Sequence, residues 1–267
     1  MSGGETGAPP SRLRRNLIAG GVVASVIGLW HGAPYVMRLL PRSFEFEPLA
    51  DPPGFRRIAG GATSGGLDPF AGLSTPEPER GPRIDPDALR ADLCRAVFGA
   101  APAEGVVPVA SFSDYYCPFC RVLTRRLAAI EAGSGGTVRI AWHEWPLLGE
   151  TSEVAAKAAL AAKRQDAYVA FHEALMRGAF VATPAFLSNL AERLGIDPER
   201  MLADMESPET ARAIAESRAL ARLFSFPGTP ALIVGRTVVA GEIDDATLRA
   251  LIDREREDGP IRACAAS

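Results

Sequence analysis

Val106-Val107-Pro108-Val109-Ala110-Ser111-Phe112-Ser113-Asp114-Tyr115-Tyr116-Cys117-Pro118-Phe119-Cys120 passes from an apolar, β-rich segment into a Cys-x-x-Cys pair. A helix-like stretch, Arg121 to Glu131, follows directly. A cysteine at such a junction sits at a helix N-terminus, where unpaired N–H groups and the helix dipole favour an anion. The thiolate is the reactive form of cysteine, and this position lowers its pKa. The second sulfur, three residues on, is close enough to form an exchangeable disulfide with the first. Half a zinc site and a purely structural pair are the competing readings. A four-cysteine zinc site needs a second pair of similar spacing. The remaining cysteines, Cys94 and Cys264, are far apart in sequence, and the chain has only 3 histidines. Strand-plus-helix setting therefore favours redox chemistry over metal at Cys117 and Cys120, with no cofactor or metal required beyond the two sulfurs.

Composition bounds the rest. At 267 residues, 47% hydrophobic and 23% charged, the chain can bury one sizeable core with an accessory segment. A net charge of −3 and dispersed arginines give no reason to expect nucleic acid. The N-terminus stands apart. Arg12, Arg14 and Arg15 precede 22 residues without a formal charge, Asn16 to Met37, closed by Arg38. At ~1.5 Å per residue such a stretch is about long enough to span a bilayer. Ala33 is followed by Pro34, so no good small-x-small cleavage site supports a removed signal peptide instead. Arg14-Arg15-Asn16-Leu17-Ile18 matches a twin-arginine export signal only loosely. The arginine bias places the N-terminus in the cytoplasm and the body outside, where disulfides persist.

The organisation expected from these features is a cytoplasmic N-terminus over 1–15 and a membrane anchor or signal segment over 16–37. A Pro/Gly-rich linker follows over 38–84, then an α/β domain over 85–258 and a tail over 259–267. The linker reading rests on Asp51-Pro52-Pro53-Gly54, Gly60-Gly61, Gly65-Gly66 and Thr75-Pro76-Glu77-Pro78. Phe44, Phe46, Phe55, Phe70 and Leu73 are more apolar than a spacer requires, so a partly ordered tether is expected. Asp85-Pro86 opens a helix through Leu89, Leu93 and Val97. Thr137 to Trp142 reads as a strand, and 151–226 is almost wholly helical by pattern. Ala231–Val234 and Thr237–Ala240, separated by Gly235-Arg236, read as a hairpin, and Asp244 starts a last amphipathic helix.

Several of these segments together resemble the DsbA-like branch of the thioredoxin superfamily. The matching residues are Phe112 to Cys120, Glu144-Trp145-Pro146-Leu147-Leu148-Gly149 before an Ala-rich helix, Phe171-His172-Glu173-Ala174-Leu175-Met176, and Gly228-Thr229-Pro230-Ala231. The resemblance implies a thioredoxin fold with an inserted helical subdomain and thiol–disulfide exchange on exported protein substrates. An unidentified redox partner would recycle the site. It also implies a cis Thr229–Pro230 peptide facing the sulfurs, with Cys117 exposed and attacking, Cys120 more buried, and Pro118-Phe119 tuning the potential. The family often carries a buried acid six residues before the first cysteine; here that position is Ser111. Asp114 and Glu144 are the substitute proton carriers, and Asp114 is also a candidate cap for the redox helix. His172, beside Phe171, reads as a core histidine. Cys94 and Cys264 flank the domain and either pair as a structural disulfide or remain a buried small residue and a free thiol. A membrane-tethered copper(I) carrier is the alternative function, using Cys117, Cys120 and His143 as ligands.

Overall fold

The computed structural model describes residues 43–65 and 81–264. The Asn16–Met37 stretch read as an anchor, together with Phe70 and Leu73, lies outside the described residues. Among the described residues no helix is long and apolar enough to cross a membrane.

The centre of the domain is a six-stranded sheet in the order β1-β2-β6-β5-β3-β4. Its strands are β1 (Glu47–Pro48), β2 (Arg56–Ile58), β3 (Val107–Ser113), β4 (Val138–Glu144), β5 (Ala231–Val234) and β6 (Thr237–Ala240). β3 and β4 run parallel, from Val107 opposite Val138 to Ser113 opposite Glu144. β5 lies antiparallel to both β3 and β6. Alternation of side chains sorts the core into two layers. Val107 and Val109 of β3, with Leu232 and Val234 of β5, pack on Leu123, Leu127 and Ile130 of α3 (Pro118–Gly133). Leu248, Leu251 and Ile252 of α9 (Asp245–Asp258) complete that layer. Ala110, Phe112, Ala231 and Ile233 face the other way, toward Leu89 and Val97 and toward Leu220 and Phe224 at the end of α8 (Pro208–Leu223). β3 is buried along its whole length because it has a strand on each side and helices on both faces.

Between β4 and β5 the chain forms five helices: α4 (Glu150–Lys163), α5 (Tyr168–Met176), α6 (Pro184–Arg193), α7 (Pro198–Met205) and α8. Their starts are written in the sequence. Thr183, Asp197 and Ser207 each cap a helix through the side chain, with proline at the first turn. Phe171, Leu175, Leu187 and Met201 form the core of this subdomain, which also takes in Tyr115, Cys117 and Cys120.

Two expectations are corrected. The single helix read from Asp85 through Val97 is two, α1 (Pro86–Ala91) and α2 (Leu93–Phe98), because Asp92 leaves helical geometry at φ −131° and ψ 47°. The stretch read as linker is in part sheet. β2 pairs parallel with β6, Arg56 opposite Thr237, and β1 pairs with β2. Phe55 is buried against Phe224, ring centroids 5.1 Å apart. Arg56 stacks on Phe46 and donates to Glu255, Asp258 and Thr237. Short strands with proline at their margins escape a pattern reading because they carry too few alternating positions to stand out.

Candidate active site

β3 ends at Ser113 and the next four residues turn into α3, so the two sulfurs are held between the sheet and the helical subdomain. Cys117 is the N-cap of α3 and Pro118 its first residue. Proline fits there because its missing N–H would have no partner in the helix. The Cys117 sulfur accepts the Cys120 backbone N–H at 3.4 Å and lies 3.4 Å from the Thr229 carbonyl oxygen. Thr229–Pro230 is a cis peptide, at the start of β5. Pro118 is exposed and Phe119 half-buried against the helical subdomain.

The two thiols are electrostatically unequal. A hydrogen bond from the Cys120 thiol does most to lower Cys117, to a pKa of about 6, against the opposing effect of burial. The Ser64 side chain and the Cys120 N–H add to that stabilisation. Burial first, and then the neighbouring Cys117, push Cys120 well above an ordinary thiol. One site thus holds a sulfur that is a thiolate at neutral pH beside one that keeps its proton, which is the asymmetry nucleophilic attack and resolution require.

Cys117 is nevertheless fully buried, which corrects the expectation of an exposed attacking thiol. Its cover includes a segment of the presumed linker. Ser64 and Thr229 exchange two backbone hydrogen bonds, Ser64 N to Thr229 O at 2.6 Å and Thr229 N to Ser64 O at 2.9 Å. They form an isolated antiparallel bridge beside the sulfur. Nothing in the sequence marks Ser64, since its partner lies 165 residues away.

The Asp114 side chain does not cap the redox helix. Its carboxylate accepts from Tyr116 N at 2.7 Å, Leu147 N at 2.7 Å, Leu148 N at 3.0 Å and Ser152 Oγ at 2.9 Å. It fastens the loop before Cys117 to the loop after β4 and to α4. The cap is the Cys117 sulfur itself. Ser111 is buried within β3, between Trp142 and Leu232.

Glu144 belongs to a buried cluster. Tyr115 Oη and Tyr168 Oη donate to its Oε1 at 2.6 and 2.5 Å, and His172 Nδ1 lies 2.7 Å from Tyr115 Oη. Burial, then the Glu144 charge, raise both tyrosines well above their ordinary pKa. His172 is therefore a core histidine by burial, but a hydrogen-bonded one. His143 does not join the sulfurs. It stacks on Phe112 at 4.4 Å, its Nε2 meets Val97 O at 2.8 Å, and its Nδ1 lies 3.4 Å from Ser217 Oγ. Burial lowers it to about 4. Among the described residues no three His, Cys, Asp or Glu side chains are grouped to hold a metal ion. The copper(I) reading thereby loses its third ligand.

Cys94 and Cys264 form a disulfide with Cα atoms 5.4 Å apart, joining α2 to the short 3-10 turn Arg262–Cys264.

The sequence model of the DSBA-like thioredoxin domain matches residues 108–253. Among solved structures, a thioredoxin-like oxidoreductase from Silicibacter pomeroyi is 37% identical, with 61% of this chain and 97% of that one covered, at a TM-score of 0.56. A periplasmic thioredoxin-like protein from Salmonella enterica is 26% identical, covering 66% and 99% of the two chains at a TM-score of 0.55. The thiol-disulfide exchange protein α-DsbA2 from Wolbachia pipientis, 23% identical at a TM-score of 0.55 over 63% of this chain and 96% of that one, shares the fold. A curated relative, the Na(+)/H(+) antiporter NhaA 3 of Salinispora tropica, is 31% identical over 135 residues. That match takes in 50% of this chain but spans only 21% of the antiporter.

Proposed function

This chain belongs to the family of DSBA-like thioredoxin domains, and on that premise we propose that it is a thiol–disulfide oxidoreductase of exported proteins. The observation that carries the reading is the placement of the pair. Cys117 caps α3, and its sulfur lies 3.4 Å from Cys120 N and 3.4 Å from Thr229 O, beside the cis Thr229–Pro230 peptide. A Cys117 lowered to about 6 beside a raised Cys120 agrees with it. In the oxidising direction a client thiolate attacks Cys117 Sγ of the Cys117–Cys120 disulfide. The S–S bond breaks, and Cys120 leaves with the electron pair and takes a proton. A second client thiolate then attacks the client sulfur of the mixed disulfide and releases Cys117 as thiolate. The client is oxidised by two electrons and the enzyme pair is reduced by two. The oxidising direction is favoured because a stabilised Cys117 thiolate stabilises the reduced enzyme, which raises the potential of its disulfide. No bound cofactor takes part. A redox partner restores the disulfide, and the Asn16–Met37 stretch holds the domain at the outer face of the membrane.

Replacing Cys120 with Ala tests the chemistry. Cys120→Ala should accumulate mixed disulfides with exported proteins, visible as adducts lost on reduction, and Cys117→Ala should trap none. Adducts on neither variant, or equally on both, would remove the oxidoreductase reading. A reduction potential measured on the wild type decides direction, since ~30 mV is a tenfold change in the exchange equilibrium. Retention of the full chain in carbonate-washed membranes tests the anchor, and release into the soluble fraction sinks it.

A further inference from the structure

The backbone beside Cys117 that an extended client would pair with is already taken by the chain's own segment Gly60–Gly65. Ser64 satisfies both the N–H and the C=O of Thr229, and its hydroxyl faces the Cys117 sulfur. Two residues before it, the Ala62 carbonyl accepts Glu242 N at 3.0 Å. The contact is main chain against main chain, and glycine permits it. A Cβ at Gly61 would fall on the Glu242 carbonyl oxygen, and one at Gly228 would come within 2.7 Å of Ser64 O. The segment is held from its other end by β2, whose Arg56 is fixed to the buried Glu255.

From this arrangement we infer that residues 60–65 are a built-in occupant of the client edge, with Ser64 standing where the reacting cysteine of a client sits. A serine is a cysteine with oxygen in place of sulfur, so the segment presents the shape of a client but cannot form the mixed disulfide. Exchange requires that the segment leave. It follows that the client is an extended peptide that pairs antiparallel with Thr229 and carries small residues around its cysteine, since Thr63 and Gly65 flank Ser64. Apparent client affinity is reduced by the fraction of molecules in which the edge is occupied.

This inference rests on the oxidoreductase reading, and two variants of the full chain separate the two claims. In Ser64→Cys combined with Cys120→Ala, oxidised glutathione should drive an intramolecular disulfide between the introduced thiol and Cys117. Two thiols are oxidised and two glutathiones released. Peptide mapping should find that bond at high yield, and far less of it in Ala62→Cys with Cys120→Ala. The second variant, Gly61→Val, displaces the segment without touching the sulfurs. In the reduced variant Cys117 should be alkylated by iodoacetamide, and the oxidised variant, with its Cys117–Cys120 disulfide formed, should oxidise a two-cysteine peptide, each about tenfold faster than in wild type. No bond to position 64 with unchanged rates in Gly61→Val would overturn the inference and leave the enzyme intact. The bond at position 64 and faster alkylation, but no peptide oxidation by either protein, would uphold the occupant and overturn the exchange activity. Ser64→Cys is nearly isosteric, so the trapping result stands even if Gly61→Val folds poorly.

Discussion

Arg56 and Glu255, 199 residues apart, meet in an ion pair at 2.5 Å in which the carboxylate is buried and the guanidinium half-buried. Glu255 also accepts from Thr237 Oγ1 and from Arg236, so its carboxylate joins β2, β6 and α9 at one point. Removing Arg56 leaves the buried Glu255 carboxylate with Arg236, 3.2 Å away, as its remaining ion-pair partner. Arg56→Met is expected to cost about 2 kcal/mol, read as a lower urea midpoint. It should also speed proteolysis within 59–65. Unchanged cleavage there would mean that β2 does not hold the segment.

The low pKa of Cys117 fixes a pH dependence. In the reduced protein, iodoacetamide labelling should rise with a midpoint near pH 6 and report Cys117 first, with Cys120 following only at much higher pH. The folded pKa lies below the ordinary thiol value of about 8.5, so between the two the unfolded chain binds more protons. Stability from this thiolate is fully present above the unfolded pKa and is lost as pH falls toward 6. Relative to Cys117→Ser, the reduced wild type should therefore gain stability from pH 6 to 9. A flat difference across that window would contradict the assignment.

Asp114 is expected to act on structure alone. Asp114→Ala leaves Leu147 N, Leu148 N, Tyr116 N and the Ser152 hydroxyl without their acceptor, at a cost of about 3 kcal/mol or more. The pH midpoint of Cys117 labelling should stay in place. A shift of that midpoint with little loss of stability would make Asp114 a proton carrier after all.

The Cys94–Cys264 bond closes a separation of 170 residues. Replacing both cysteines with Ala should cost about 2–5 kcal/mol in thermal or denaturant unfolding. The Cys117 labelling profile should be unchanged, because the bond joins α2 to the C-terminal turn, elements that do not carry the two sulfurs. Two free thiols at Cys94 and Cys264 in the oxidised native protein would refute the pairing.

Half-buried and held neutral, His143 adds an acid-sensitive element. Its pKa of about 4 lies below the ordinary 6.5, so the unfolded chain takes up a proton between those values and the native state does not. Stability should fall as pH drops from 6.5 toward 4, and His143→Phe should weaken that fall. An unaltered slope in the variant would place the effect on other groups.

What the sequence determined by itself is what neighbouring residues decide. The Cys-x-x-Cys at a strand-to-helix junction, the Thr183, Asp197 and Ser207 starts before proline, and the Gly235-Arg236 hairpin all follow from local backbone preference and capping. Tertiary structure decided the rest, because those contacts join residues whose separation hides them from any local pattern. Glycine and proline at 52–65 look like a flexible tether, yet glycine is also the residue that lets one backbone lie against another, and only the 240–242 and 227–229 edge reveals which role applies. Asp114 looks like a cap until the N–H groups of Leu147 and Leu148 converge on it. The place of Cys117 at the helix N-terminus was legible from the strand-to-helix junction. Its burial was not, because the cover comes from Ser64, and a backbone bridge between Ser64 and Thr229 leaves no trace in side-chain pattern.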